Sequence, residues 1–369
     1  MNVLAIEGYY GGSHKAFLDG WIARSRHTWT LLTLPANKWK WRMRHGAITF
    51  AQQAARLAAE GSRWDVLFCS DMLNLAEFLG LSYESVRRLP RIVYFHENQL
   101  TYPVRVESER DYQYVMTNLT TALAAEAVWF NSAFHRDEFL SGLRAFLKRM
   151  PDNQPLDAVD AIAARSAVHP PGIEPFPPRG PRPPGPLHIL WAARWEHDKS
   201  PEDFFAAMKI LKQKGIDFRL SVIGEQFRDV PEVFAWAKEF FAGQIVRWGY
   251  QPTRDAYRAA LTDADVVVST ARHEFFGLSI TEAIAAGAYP LLPKRLAYPE
   301  ILDTIAPSST QQYFYDGTVD HLAQRLAGLS RQLQQPTFEL AEKAANMYGW
   351  PTRAPALDDA LQAALTAKS

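Results

Sequence analysis

Cysteine is almost absent: the 369 residues contain one, Cys69. That excludes an intramolecular disulfide framework and any metal site built from several thiolates. It points to a reducing compartment. Net charge is absent too. Forty basic residues balance forty acidic ones, so no global field draws the chain onto nucleic acid or membrane. Binding of that kind has to arise from local patches. No apolar run approaches the ~18 residues of a membrane-spanning helix. The opening residues, MNVLAIEGYYGG, lack a basic leader, and Glu7 interrupts their apolar stretch, which argues against a secretory signal. The expectation is a cytoplasmic protein with no membrane association. No GxGxxG follows the first strand pattern, so the dinucleotide fingerprint is missing. No repeat of solenoid period is present.

What the chain does contain is alternation. With 47% hydrophobic and 22% charged residues it has ordinary globular composition, long enough for two domains. Segments 2–6, 64–70, 91–97 and 127–132 read as short buried strands ending in polar residues. Helical patterns such as 46–60 and 108–125 lie between them. This is βαβ order, hence a parallel sheet with helices on both faces. Residues 169–186, HPPGIEPFPPRGPRPPGP, are too rich in proline for a helix or a central strand and read as a stiff connector. A second series follows, with strand patterns at 187–194, 218–224, 245–250, 264–270 and 288–293 and helical ones between. The predicted architecture is α/β, with two doubly wound Rossmann-like domains facing a cleft. Residues 1–168 form the first, 169–186 the linker, 187–345 the second, and 346–369 a helical tail.

In such sheets the chemistry sits in loops after the strands. In EGYYGGSHK (7–15), Gly11 and Gly12 allow close backbone approach before a helix N-terminus that favours an anion and are expected to bind the donor, although a tight turn accounts for them equally well. His96 opens the loop HENQLTYP and is placed to meet a sugar hydroxyl or a developing charge. Arg194 and Lys199 follow the first strand of the second domain, beside a helix entered through Ser200-Pro201. Two cations there suit a diphosphate. In RHEFFGLSITEAIAAG (272–287), Glu274 lies on a loop, Gly277 permits a sharp turn, and Leu278 and Ser279 start a helix with free N–H groups. Glu282 follows one turn in, within reach of ribose hydroxyls. Asp263-Ala-Asp265 mimics a metal-binding DxD, but it stands at the start of a strand pattern, away from the carboxyl ends.

The second half resembles a retaining GT-B glycosyltransferase of the family 4 type. The likeness rests on Glu274-x7-Glu282 within FFGLSITEA, on Arg194-x4-Lys199, on YQPTRDAYRAALTDADVVVST and on PPGIEP. It implies a nucleotide-sugar donor held by the C-terminal domain and an acceptor held by the N-terminal one. Arg194 and Lys199 would hold the diphosphate, Glu282 the ribose and Glu274 the hexose, and His96 would face the donor sugar. The first half, through IEGYYGGSHKAFLDGW, TLPANKWKWRMRHGA, LFCSDMLNLAEF, YFHENQLTYPV, ERDYQY and FNSAFHRDEFL, resembles the tRNA-queuosine α-mannosyltransferase family. That resemblance implies GDP-mannose as donor and queuosine in the anticodon of tRNA-Asp as acceptor. Neither a cofactor nor a metal is expected.

The segment NKWKWRMR then acquires a meaning. Lys38, Lys40, Arg42 and Arg44 alternate with Trp39, Trp41 and Met43. Alternation alone suits a half-buried strand. An enzyme of the anticodon loop needs cations for phosphates and flat rings for splayed bases, and the segment has both. Lys38, Trp39, Lys40, Trp41, Arg42 and Arg44 are therefore expected to contact RNA, with Arg105 and Arg110 as weaker candidates. Two rival readings are a GT-B enzyme with a lipid or polysaccharide acceptor and a non-catalytic RNA-binding protein on a transferase fold. The first calls for a long amphipathic helix with basic and apolar faces. The second calls for loss of Lys199 or Glu282, and both are present.

Overall fold

The computed structural model describes residues 1–103, 110–182, 184–227, 229–332 and 337–366. The chain divides into two units, Met1–Gly172 with Trp350–Ser369, and Ile173–Gly349. Arg105 and the start of the 108–125 pattern lie outside the described residues.

In the first unit six parallel strands stand in the order β2-β1-β3-β4-β5-β6. They are β1 (Asn2–Tyr10), β2 (Thr28–Pro35), β3 (Val66–Ser70), β4 (Arg91–Phe95), β5 (Ala127–Phe130) and β6 (Ser166–Val168). The helices are α1 (Gly12–Ile22), α2 (Trp39–Ala59), α3 (Leu75–Leu81), α4 (Glu84–Arg87), α5 (Tyr112–Ala124), α6 (Ala133–Leu147) and α7 (Leu156–Ala163). Side chains alternate between the two faces of the sheet. Leu4, Ile6, Leu67, Cys69, Val93 and Phe95 pack against Phe50, Phe78, Val115 and Phe139 on α2, α3, α5 and α6. Val3, Val66, Phe68, Ile92, Tyr94 and Trp129 meet Phe17 and Trp21 of α1 on the other face. Strands buried on both faces are what the apolar runs predicted.

Three strands escape that pattern. β2 has no fully buried residue, and β6 and β12 (Phe314–Tyr315) have three residues and two. All three are edge strands. The larger departure is residues 39–59. Their start is not a strand but the first turns of α2, and Lys38 enters it in the left-handed region at φ 49°. Met43, Gly46, Ala47, Phe50, Ala51 and Ala54 are the buried positions, at helical spacing. The alternation at 38–44 spans less than two turns and is overridden by this longer stripe.

The second unit repeats the plan in the order β12-β11-β10-β7-β8-β9, again parallel. Its other strands are β7 (Leu187–Ala192), β8 (Phe218–Ile223), β9 (Ile245–Gly249), β10 (Val266–Val268) and β11 (Tyr289–Pro293). The helices are α8 (Pro201–Gln213), α9 (Val233–Phe240), α10 (Arg254–Asp263), α11 (Leu278–Ala285), α12 (Tyr298–Ile305), α13 (Val319–Gln332) and α14 (Phe338–Tyr348). Residues 173–186 belong to this unit rather than forming a free connector. Arg179 and Arg182 both pair at 2.9 Å with buried Asp265. Arg179 also donates to the carbonyls of Ala264 and Gly287. Asp265 in turn accepts the N–H of His188, and Asp263 pairs with Arg247 at 2.7 Å. The DxD-like pair thus ties the proline-rich segment to the amino ends of β7 and β10.

The tail is also part of a unit. The last helix, α15 (Trp350–Thr366), covers the α1 face of the first sheet with Trp350, Ala354, Leu357 and Leu361. The Trp350 ring fills the space beside Gly20 and Gly172, where an added Cβ would lie 2.1 and 2.3 Å from it. Buried Asp358 accepts from Trp21 Nε1 at 2.8 Å, Ser25 Oγ at 2.7 Å and the Arg26 N–H at 2.8 Å. Trp350→Ala is expected to cost about 3–5 kcal/mol through the cavity left at a large ring. Thermal unfolding checks this; an unchanged melting temperature would mean that α15 adds nothing to the first unit.

Candidate functional site

In the second unit the strand order reverses between β7 and β10. Loops leaving these neighbours run in opposite directions and open a crevice at the carboxyl ends. The loop after β7 carries Arg194, Glu196, Asp198 and Lys199; the loop after β10 carries Ser269 to Gly277. Hydrogen bonds lock the two together. Trp191 Nε1 donates to Thr270 Oγ1 at 3.2 Å, Thr270 Oγ1 to the Lys199 carbonyl at 2.8 Å, and the Arg272 N–H to the Asp198 carbonyl at 2.7 Å. Lys199 is only 5% exposed. Its Nζ donates to the His273 carbonyl at 2.7 Å and pairs with Asp198 at 3.1 Å and Glu274 at 3.4 Å. Arg194 pairs with Glu196 at 3.3 Å. Burial, then the charge of Lys199, holds the His273 ring down to about 4; Glu274 and Asp198 oppose this and Arg194 adds to it. His273 is neutral at pH 7 and marks the point where Arg194, Asp198, Lys199 and Glu274 all act.

Gly277 is required where it stands. Its φ is 95°, and an added Cβ would lie 3.0 Å from the Tyr298 ring. It precedes α11 without a side-chain cap, so the N–H groups of the first turn, at Leu278 and Ser279, keep their partial positive charge for a ligand. Ser279 Oγ donates to the carbonyl of Ala192 at 2.7 Å, pinning α11 to the end of β7. Glu282 is one turn further. Its carboxylate accepts from Tyr257 Oη at 2.6 Å. Burial pushes its pKa above the usual carboxylate range, while the Tyr257 hydrogen bond and Arg254 and Arg258 favour the charged form. The structure therefore groups Arg194, Lys199 and Glu274, with α11 beside them. Glu282 has separate partners.

The first unit has its own reversal, between β1 and β3. Here Glu7, His14, Asp71 and His96 come together. Glu7 and Asp71 are fully buried. His14 Nδ1 lies 3.1 Å from Glu7 Oε2, and the His14 and His96 ring centres are 4.0 Å apart. Asp71 Oδ1 accepts the His96 N–H at 2.9 Å. Burial works to lower His14, but the Glu7 charge overcomes it and raises the ring to about 9. Burial raises Asp71 to about 8, with Glu97 and Glu7 adding to it and His14 opposing. His96 is pushed well down by burial and by His14 and stays neutral. Glu7, His14 and His96 each offer a ligand atom within 4.8 Å of the others, a donor set a divalent ion can use. Gly11 and Gly12 belong to this unit. Gly11 is extended and abuts Ala36, and Gly12 sits at φ 51° with open space at its Cβ position.

The cationic segment lies next to this group. Tyr9, near the end of β1, and Met72, just after β3, pack with Trp39, Met43 and Tyr114. Trp41 is 59% exposed, and Lys38, Lys40 and Arg44 are exposed around it. The Arg44 guanidinium stands 4.9 Å above the Tyr114 ring. Arg42 differs: it donates to the Pro35 carbonyl at 3.1 Å and to Asn37 at 2.8 Å, holding the turn into α2. Arg110 likewise straps the carbonyls of Gln99 and Tyr102. Both guanidinium groups already hold protein acceptors, as that of Arg44 does with Gln113.

Residues 2–173 match the family described as tRNA-queuosine alpha-mannosyltransferase N-terminal, and residues 173–343 match Glycosyl transferases group 1. The matches meet at Ile173, where the two units divide. A Drosophila melanogaster protein named tRNA-queuosine alpha-mannosyltransferase is 38% identical over 312 residues, covering 81% of each chain. The chain belongs to the tRNA-queuosine alpha-mannosyltransferase family. It is a glycosyltransferase, and its fold is GT-B. Similar folds include sucrose-phosphate synthase from Thermosynechococcus elongatus, with TM-score 0.71 at 14% identity over all of both chains. Another is the Anabaena protein HepE in complex with UDP, with TM-score 0.67 at 13% identity over 98% of this chain and 100% of that one. Among the described residues no helix is long and apolar enough to cross a membrane.

Within this family member, sequence reasoning missed Glu7, His14, Asp71, His273 and Tyr257. A usable signal existed for Asp71, a carboxylate directly after a wholly buried strand. His14 is raised above its unfolded value by Glu7, so its contribution to stability is full below pH 6.5 and is lost as pH rises through about 9. In a proton NMR titration the His14 ring should titrate near 9 in the native protein and well below that in Glu7→Gln. An unshifted midpoint in the variant would show that Glu7 does not hold the proton.

Proposed function

We propose that the chain transfers mannose from GDP-mannose to the queuosine base in the anticodon of tRNA-Asp, with retention of configuration. The observation carrying this reading is the Lys199–Glu274 pair beside the uncapped start of α11, in a chain of this family. The bond from the anomeric carbon to phosphate breaks as an oxocarbenium-like state develops. Charge then accumulates on the departing diphosphate, and Lys199, Arg194 and the α11 N–H groups are the groups to meet it. To do so Lys199 exchanges its contacts with Asp198 and Glu274 for phosphate oxygens. Glu274 is then free for hydroxyls of the hexose, and Glu282, oriented by Tyr257, for those of the ribose. The departing phosphate takes the proton of the attacking queuosine hydroxyl on the same face, so no protein nucleophile is assigned. No cofactor or metal enters the scheme. His96 serves as a neutral hydrogen-bonding group toward the sugar.

The acceptor is assigned to the first unit. Lys38, Lys40 and Arg44 supply phosphate contacts and Trp41 a stacking face, continuous through Tyr9 and Met72 with the ends of β1 and β3.

Incubation with GDP-mannose and queuosine-containing tRNA, followed by nucleoside mass analysis, should give queuosine heavier by one hexose. Lys199→Ala and Glu282→Ala should each lower kcat/KM by about a hundredfold or more, the loss of a group stabilising developing charge or orienting the donor. Near-native turnover by either refutes its assignment. Reversing the charge of Lys38 and Lys40 should raise KM for tRNA several-fold and weaken its salt dependence. Binding of GDP-mannose should stay the same; equal loss of both would signal misfolding instead.

A further inference from the structure

An exposed arginine of the first unit has rings beside it and no acid. Arg149 follows the end of α6. Its guanidinium lies 5.6 Å from the centre of the Tyr112 ring and 5.7 Å from that of Phe146. The two rings stack on each other at 5.2 Å with 18° between their planes. Phe146 is buried; Tyr112 is exposed, and so is Met116 one turn further along α5. Among the described residues no carboxylate or carbonyl pairs with the Arg149 side chain. Its neighbours differ: Arg144 pairs with Asp160 at 2.5 Å and Arg136 with Asp137 at 2.8 Å. A guanidinium packed on rings is ordered in advance, and its N–H groups remain for a ligand.

A second stack of the same kind stands on the other side of the first turn of α5. Arg44 of α2 lies 4.9 Å above the Tyr114 ring and donates to Gln113. Tyr114 Oη donates to the Lys40 carbonyl at 3.2 Å. Residues two apart on a helix face different sides, so the two stacks flank this turn. Residues 112–114 therefore join the cations of α2 to Arg149 without a break. The acid before them, Asp111, caps α5 by accepting the Gln113 N–H at 3.0 Å, and the positive end of the helix meets its charge. Cations and rings thus alternate from α2 to the end of α6. An RNA strand, with a charge at every nucleotide and flat bases between, matches that alternation.

We propose that the RNA strand met by α2 continues over the first turn of α5 to the end of α6, where Arg149 binds a backbone phosphate. Tyr112 is a positioning residue that acts through Arg149. The inference rests on the reading of the α2 segment as RNA-facing and says where the strand runs next. A contact of this kind supplies affinity and register rather than sequence.

The test uses the full chain and fluorescently labelled, queuosine-containing tRNA in a salt titration. Arg149→Ala should weaken binding about tenfold at low salt, the loss of a charge-assisted hydrogen bond. It should also reduce the slope of log Kd against log salt by about 0.7–0.9, the share of one phosphate. Arg149→Lys keeps the charge and should restore the slope. Tyr112→Ala should weaken binding about threefold although it removes no charge, the loss of a cation–π contact. Lys343→Ala removes an exposed cation of the second unit, one paired with Glu339, and should leave affinity and slope native. Affinity for GDP-mannose and the melting temperature, read on every variant, report an intact fold. Native affinity and slope in Arg149→Ala overturn the proposal. So does an equal loss in Lys343→Ala, because net charge and not a local contact then sets the affinity. Hexose transfer to queuosine by an enzyme indifferent to Arg149→Ala sinks this inference and leaves the functional reading standing. Binding of tRNA that falls in Arg149→Ala, with no hexose transfer by the native protein, sinks the functional reading and leaves this surface standing.

Discussion

Both sheets of this protein are wound outward in two directions from a starting strand, and that single topological constraint creates its sites. Where the winding reverses, adjacent loops cannot cover the same ground, and the carboxyl ends of two strands remain open. In the second unit the gap falls between β7 and β10; in the first it falls between β1 and β3. The Lys199 and Glu7–His14 clusters stand at these two places, whereas buried Asp265 and Asp358 serve packing elsewhere. The apolar packing on both faces of each sheet holds the strand ends in register, so the side chains after them arrive at repeatable positions.

The two gaps are solved differently in electrostatic terms. In the second unit Lys199 is drawn from water and compensated by Asp198, Glu274 and a carbonyl, with Arg194 nearby and the positive end of α11 uncapped. A group of that kind can release carboxylates and accept phosphate with little reorganisation, because the charges are already desolvated and aimed. In the first unit carboxylates outnumber cations. The protein meets the cost by keeping His14 protonated and by raising Asp71, both consequences of burial among like charges. The second site keeps its positive groups facing a crevice, whereas the first balances its carboxylates internally through His14.

Much of this was legible before the structure. Strands buried on both faces announced themselves as apolar runs, and the loops after them supplied Lys199, Glu274, Gly277 and Glu282. The edge strand β2 was not legible because neither face is fully buried, so no periodicity marks it. The start of α2 was misread because four cations spaced by two imitate a strand over a stretch shorter than the helix stripe that governs it. Arg42 and Arg110 could not be separated from Lys40 by type, since only tertiary contacts turn a surface cation into a loop strap. The docking of α15 on α1 was beyond sequence patterning: it depends on Gly20 and Gly172 leaving room for one indole. Glu7 and His14 are seven residues apart, and Asp71 joins them only because β3 lies beside β1.

The most direct test of the account is hydrogen exchange read segment by segment with each substrate alone. GDP-mannose should slow exchange at 194–199 and 272–282 and leave 38–46 unchanged. Queuosine-containing tRNA should slow it at 38–46 and spare the first set. Donor protection confined to 38–46, or identical footprints for both substrates, would contradict the division of labour between the two units.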